Sequence, residues 1–296
     1  MLEQGRTLVN GPHQGAWVQT QSGEDWFFHF QSNLAYGRIV HLQPMQWKDD
    51  WPVIGNDADG DGTGNPVRIH RKPDVGETRL AGMKPTQSPP SSDQFDRIRL
   101  GLQWQWNANS RKEWFSLGER EGYLRLYAQH SPGGDTGNLW MTPSLLLQKL
   151  PAPEFIAEVN LEIPQDARNL STGLLMFGED YAWIGIRQIS ESGEIELGFA
   201  SCHSARTGCD ENFTVEKILG SSSLTLRMTV SSGGGTVFSY LDDNGRFKAI
   251  GELFQARPGR WVGARVGLFV RAESKDATTP NNFVDFDSIL FSGPDH

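Results

Sequence analysis

The sequence predicts an all-β protein, a two-sheet antiparallel sandwich preceded by a single blade-like antiparallel segment. Short alternating or apolar runs recur along the 296 residues with turn residues between them, and none has the length of an ordinary helix. The chain holds 33 Gly and 16 Pro, enough to punctuate many short strands. Its 10 Trp and 16 Phe suit sheets that pack on broad side chains or stack on flat ligands.

The elements follow in order. Asn10-Gly-Pro-His-Gln-Gly-Ala-Trp17, Trp26-Phe-Phe-His-Phe-Gln31 and Tyr36-Gly-Arg-Ile-Val-His-Leu-Gln-Pro-Met45 read as turn, strand, turn, strand, turn, strand. That is most of one four-stranded blade, and a lone blade cannot bury both of its faces. Pairing with a second copy of the chain, or folding back onto the sandwich, would cover them. Residues 71–91 read as a linker, with Lys72-Pro73, Lys84-Pro85 and Ser88-Pro-Pro90 and no sustained periodicity. The expected division is a blade at 1–70, the linker at 71–91 and the sandwich at 92–296.

Within the sandwich, Phe155, Ala157, Val159, Leu161 and Ile163 alternate with Ile156, Glu158, Asn160 and Glu162, the pattern of a strand with one buried face. Gly173-Leu-Leu-Met-Phe-Gly178, Tyr181-Ala-Trp-Ile-Gly-Ile186 and Ser223-Leu-Thr-Leu-Arg-Met-Thr-Val230 are further strands. Thr236–Tyr240, then Asp242-Asp-Asn-Gly245, then Phe247 signals a hairpin, because Asn-Gly suits a type I′ turn. Arg265–Val270 and Asn282–Phe291 close the series, and roughly two hundred residues of this kind build two packed sheets.

Composition bounds the partners. A formal charge of −9 disfavours nucleic acid and anionic membrane and is compatible with a neutral polysaccharide. The longest apolar runs are strand-length, so no membrane span is expected. Met1-Leu-Glu-Gln-Gly-Arg6 has no apolar h-region, so no signal peptide is visible, which fits a cytoplasmic chain or a secreted one whose natural N-terminus is missing. Cys202 and Cys209, the only cysteines, share one polar loop. Their spacing suits a loop-closing disulfide in an oxidising compartment; a metal site from Cys202, His203, Cys209 and Asp210 is the alternative, though it matches no standard zinc spacing.

The blade segments carry a resemblance. His13-Gln-Gly-Ala-Trp17, Tyr36-Gly-Arg38, Trp47-Lys-Asp-Asp-Trp-Pro-Val-Ile-Gly55, Asn65-Pro-Val67, Ser92-Asp-Gln-Phe95, Leu100–Asn107, Pro258-Gly-Arg-Trp-Val-Gly-Ala264 and Val284-Asp-Phe-Asp287 resemble the C-terminal part of glycoside hydrolase family 43, the β-xylosidases and α-L-arabinofuranosidases. The resemblance covers nearly the whole chain. It implies the last blade of a five-bladed β-propeller followed by a concanavalin-A-like sandwich, with the other blades absent. It also implies a role in plant cell-wall polysaccharide breakdown, a pentose-containing polysaccharide or oligosaccharide as partner, and no required cofactor. The family's inverting chemistry needs a base and an acid set widely enough apart to admit a water. Those carboxylates lie in blades without counterpart here, so none is carried over. Hydrolysis of O-glycosidic bonds and a non-catalytic carbohydrate-binding or propeller-bracing role both remain open.

The resemblance implies two site residues. His13 would point into the propeller's axial channel, and Arg38 would reach substrate hydroxyls with its fixed donors. Trp104 and Trp106 alternate within Gln103–Asn107 and share a face, as a sugar platform or as packing. Trp17, Trp26, Trp47 and Trp51 offer the same two uses. Asp93, Asp285 and Asp287 would form a structural calcium site if the sandwich termini meet. Asp57-Ala-Asp-Gly-Asp-Gly62 begins like a calcium loop, but its twelfth position is Arg68 where an EF-hand requires Glu. Glu158 and Glu162 share a strand face with Cα atoms ~13 Å apart, a poor spacing for a carboxylate pair. No Gly-x-Ser-x-Gly elbow is present.

Overall fold

Nineteen strands and no α-helix make up the described residues of the computed structural model, which are 2–76, 90–131, 138–188 and 194–293. No helix among them is long and apolar enough to cross a membrane. The chain divides into two units, Met1–Asn33 with Gly37–Gln87, and Leu34–Tyr36 with Ser88–His296. Much of the expected linker, including Lys84-Pro85 and Ser88, lies outside the described residues.

The first unit is one antiparallel sheet of β1 (His13–Gln19), β2 (Asp25–Ser32), β3 (Arg38–Lys48) and β4 (Trp51–Ile54), in that order. Each turn has a local cause. Thr20 closes the first with backbone bonds from Gly23 and to Glu24, and Gly37 supplies the left-handed φ of 73° before β3. Buried Gln43 clamps Asn65-Pro-Val67 from both ends of its amide, donating to the Val67 carbonyl at 3.2 Å and accepting its N–H at 2.7 Å. Arg71 and Asp74, read from sequence as linker, are held on this unit: Arg71 pairs with Glu24 at 2.5 Å and the Asp74 N–H donates to Glu24 at 2.9 Å. Those two donors, the Asp74 amide first, hold the Glu24 carboxyl below its ordinary pKa.

The second unit contains β5 (Gln105–Trp106), β6 (Phe115–Ser116), β7 (Leu124–Tyr127), β8 (Gln129–His130), β9 (Leu146–Lys149), β10 (Phe155–Glu162), β11 (Leu170–Phe177), β12 (Tyr181–Gln188), β13 (Ile195–Cys202), β14 (Asn212–Leu219), β15 (Ser223–Val230), β16 (Gly235–Leu241), β17 (Phe247–Gln255), β18 (Arg265–Ala272) and β19 (Phe283–Ser292). One sheet runs β17-β16-β15-β10-β19-β7-β6, and the other β14-β13-β12-β11-β18-β9-β5 with β8 added in parallel to β18. Their inner faces share one apolar cluster. The alternation of β10 is realised there: Phe155, Ala157, Val159, Leu161 and Ile163 are buried in it, while Glu158, Asn160 and Glu162 point away. β11 is buried at every residue because both of its faces are covered. Leu174 and Met176 enter the main cluster, whereas Leu175 and Phe177 join Leu139, Tyr181, Trp183 and Phe269 in a second cluster on the sheet's other side.

Beside that second cluster Cys202 and Cys209 form a disulfide, with Cα atoms 6.0 Å apart. The metal alternative falls away, since both sulfurs are spent and His203 Nδ1 faces Asp180 at 3.1 Å. Next to the disulfide, Glu211 accepts from Tyr181 (2.8 Å), Trp183 (2.9 Å) and the buried Arg271 (2.8 Å), which also binds Glu273. Burial and the adjoining Glu211 charge push the Tyr181 phenol far up.

Leu34–Tyr36 belongs to the second unit. The Tyr36 hydroxyl donates to Pro153 O at 2.7 Å and accepts the Gly233 N–H at 3.0 Å, and Ala264 N–H donates to Ala35 O at 2.6 Å. The expected β16–β17 hairpin forms, with a different turn from the one Asn-Gly suggested. Only Gly245 has positive φ (72°), because Asp242 accepts the backbone N–H groups of both Asn244 and Arg246 at 2.9 Å and winds the turn around its side chain.

Candidate functional site

Cross-strand register and two-residue alternation sort the blade into two faces. His13 pairs with Phe30, Val40 with Phe30, and Arg38 with Ser32, so His13, Phe30 and Arg38 fall on one face. The His13 ring stacks on Phe30 at 5.6 Å with 21° between planes, and the Arg38 guanidinium lies 4.6 Å from the same ring's centroid. The two residues implied by the resemblance therefore converge on one aromatic ring, both exposed.

A β-bulge aims His13 there. The β1–β2 register shifts between His13 and Ala16, and Gln14 takes a left-handed φ of 39°. Gly15 is required beside it: a Cβ would lie 2.1 Å from the Phe27 ring and 2.8 Å from the Phe28 carbonyl oxygen. His-Gln-Gly is thus a bulge whose product is the direction of the imidazole. Sequence reasoning missed Phe30. The register set by the Thr20–Glu24 turn alone would pair His13 with Gln31 on the other face, and it is the bulge that moves the partner to Phe30.

The opposite face carries Trp17, Phe27, His29, His41, Gln43, Met45 and Trp47. Trp17 packs edge-on against Trp47 at 5.3 Å and donates to Asp25 at 2.8 Å, with both indoles about half exposed. Trp26 is buried and Trp51 is exposed. His29, 2% exposed, stacks on His41 at 5.2 Å, and neither of its ring nitrogens has a hydrogen-bond partner. Burial, and then the neighbouring His41, lower the His29 pKa; burial, and then Arg68, lower that of His41.

Trp104 and Trp106 are packing residues of the sandwich. Trp104 is buried against Phe95 and donates to Asp93 at 2.8 Å, and Trp106 lies under Phe115 at 5.3 Å and against Trp114 at 5.4 Å. Asp93, Asp285 and Asp287 are not brought together as a ligand set. Asp93 accepts from Phe95 N–H and Trp104, while buried Asp285 takes two bonds from Arg125, at 2.8 and 3.0 Å, and one from Arg120 at 3.4 Å. A carboxylate neutralised by two guanidiniums has little left to offer a cation. Asp287 meets the Ser288 hydroxyl at 3.3 Å. Among the described residues, the group of three acidic side chains with carboxylate oxygens within 4.8 Å of one another is Asp57, Asp59 and Asp61. Lys48 sits at that loop, 3.6 Å from Asp57 and donating to Gly60 O at 2.9 Å. Glu158 and Glu162 are held separately, by Arg227 at 2.7 Å and by Arg120 at 2.7 Å, which removes them as a catalytic pair.

Comparison with known proteins agrees with this architecture. A Xylanibacter ruminicola protein with a provisional β-xylosidase name is 32% identical over 280 residues, 90% of this chain and 46% of that protein. A β-xylosidase of Formosa agariphila is 28% identical over 313 residues, 98% of this chain and 50% of that protein. The chain spans about half the length of these curated relatives. The crystal structure of a xylan β-1,4-xylosidase from Bacillus halodurans superposes with a TM-score of 0.77 at 20% identity, covering 97% of this chain and 54% of that one. A bifunctional GH43-CE protein of Bacteroides eggerthii superposes at 0.75 and 24% identity, covering 97% and 35%. At such identity the superpositions establish the fold. Residues 92–292 match the family model GH43_C2, the β-xylosidase C-terminal concanavalin A-like domain, and the chain belongs to that family.

Proposed function

We propose that the chain serves the breakdown of xylan and arabinoxylan as the C-terminal portion of a β-xylosidase-type glycosidase, with His13 and Arg38 contacting sugar hydroxyls. The observation that carries this is the convergence of both residues on Phe30, imposed by the Gln14–Gly15 bulge. A ring flanked by an imidazole and a guanidinium offers an apolar surface for a sugar's C–H face and donors for its hydroxyls. The β-xylosidase relatives align along the blade as well as the sandwich, which supports the same reading. Cleavage of the glycosidic bond needs a base and an acid placed about a water, and the resemblance assigns neither to these residues. A second reading, a sandwich that binds glycan or braces a propeller without hydrolysing, is favoured by the completeness of the second unit's core.

Two measurements separate these. The His13 imidazole resonances should shift saturably with xylobiose, and Arg38→Ala should abolish the shift; resonances that do not move would contradict the proposed contact. Pentose release from arabinoxylan, linear xylan, arabinan and aryl pentosides then decides the chemistry. Release lost in His13→Ala means hydrolysis at this site, and no release from any substrate means the non-catalytic role.

A further inference from the structure

The largest of the described clefts lies in the second unit, about 660 Å³ against 200–260 Å³ for the others, and none of the residues implied by the resemblance lines it. Its volume is that of a small-molecule site. Half-buried Phe115 and Tyr127 supply aromatic surface, and Lys112, Glu119, Gln129 and Asn281 supply donors and acceptors around it.

The walls are braced from behind. Trp106 packs under Phe115 at 5.3 Å and is itself held by Trp114. Tyr127 meets Phe283 edge-on at 6.2 Å, and the Arg125 guanidinium covers the Phe283 ring at 3.6 Å. The same Arg125 grips Asp285 and reaches Glu119 at 3.1 Å, which fixes the Glu119 carboxylate at the rim. The loop carrying Asn281 is pinned by Asn282, whose amide donates to Arg168 O at 2.7 Å and Ala277 O at 2.9 Å. Gln129 is set by the parallel pairing of β8 with β18, and the adjoining His130 N–H donates to Thr278 at 3.1 Å. A cleft whose walls are fixed in advance loses little entropy when it binds.

Its chemistry selects a class of ligand. Glu119 shares Arg125 with Asp285, Glu113 faces Arg111 at 3.9 Å and Lys112 adds a positive charge, so the rim mixes charges of both signs. Planar amides can meet a sugar hydroxyl as donor or acceptor, and a carboxylate accepts from one. The Phe115 and Tyr127 rings in its lining can accept the C–H face of a pyranose.

We propose that this cleft binds a neutral β-linked xylo-oligosaccharide and holds the polysaccharide on the sandwich. The choice of xylose rests on the function proposed above; the choice of a neutral glycan rests on the cleft. Trp106 enters as the brace beneath Phe115, a positioning role that matches the packing use of the two its sequence offered.

The test is calorimetric titration of the 296-residue chain with xylotetraose, with cellotetraose as the comparison sugar. Asn281 is exposed on its loop, so Asn281→Trp fills the cleft from the rim without entering the core. Xylotetraose should bind, and Asn281→Trp and Gln129→Ala should each weaken that binding by tenfold or more, while Arg38→Ala leaves it in place. Equal binding by both cleft variants overturns the cleft, and if Arg38→Ala alone removes binding, the function proposed above stands without it. Tighter binding of cellotetraose, still lost in Asn281→Trp, overturns the xylose assignment. No binding of either sugar overturns the proposal.

Discussion

The blade and the sandwich are built from the same strand chemistry and end in different states. In the sandwich β11 is buried along its whole length, and two apolar clusters take up both faces of its sheet. In the blade β1 is exposed along its whole length, and Val40 (66%) and Trp51 (69%) stand in solvent. A four-stranded sheet has too few layers to bury its own apolar residues, whereas two sheets of seven and eight strands bury theirs against each other. The difference teaches where stability and where recognition reside. The sandwich holds its groups in closed networks; the blade leaves its aromatic and basic groups presented.

The largest effects should come from the sandwich. Glu211→Ala would leave Arg271, 5% exposed, with Glu273 as its carboxylate and would take the acceptor from the buried Tyr181 and Trp183, and should cost about 3 kcal/mol in urea unfolding. Trp183→Ala should cost a similar 3–5 kcal/mol by opening the second cluster. Losses under 1 kcal/mol in both would break the contrast drawn above. Gly263→Ala should follow at roughly 1–3 kcal/mol, since its Cβ would lie 2.6 Å from the Tyr36 carbonyl. A melting temperature unchanged by that substitution would show that the Leu34–Tyr36 turn yields freely.

The blade should respond to pH. Burial depresses the folded-state pKa of His29, so folding favours its neutral form. The stabilisation is full above the unfolded value of about 6.5 and is lost as pH falls below it toward the depressed folded value. Blade amides should therefore lose protection on acidification from pH 7.5 to 5.5, after correction for intrinsic exchange, and His29→Phe should reduce that dependence to the part that His41 contributes. Protection indifferent to pH in the wild type would show that water reaches the ring. The smallest effect belongs to the surface. Trp17→Ala should change stability by less than about 1 kcal/mol, because the indole is half exposed and tied to Asp25 across solvent. A loss of several kcal/mol there would mean that the exposed face is covered in solution.

How much of this was legible depends on the range of the interaction. The β10 face, the continuous apolar runs of β11 and β12 and the β16–β17 hairpin follow from periodicity and local turn chemistry, and they formed. The turn type of that hairpin did not follow, because the Asp242 side chain outcompeted the Asn-Gly preference within four residues. His13 and Arg38 were legible as a motif, but their meeting on Phe30 required the register that a bulge shifts. The fate of Asp285 was hidden, since its partners Arg120 and Arg125 are 165 and 160 residues away in sequence. The Glu211–Arg271 pair spans 60 residues and was equally invisible. No pattern in the chain marks such partners before the sheets are assembled.

The contrast between the units is tested most directly by native-state hydrogen exchange read peptide by peptide at pH 7.5. The account predicts that amides of β11 and β12 remain protected at the level of global unfolding while those of β1 exchange orders of magnitude faster. Equal protection of β1 and β11 would contradict it, and would mean that the blade is as fully packed as the sandwich.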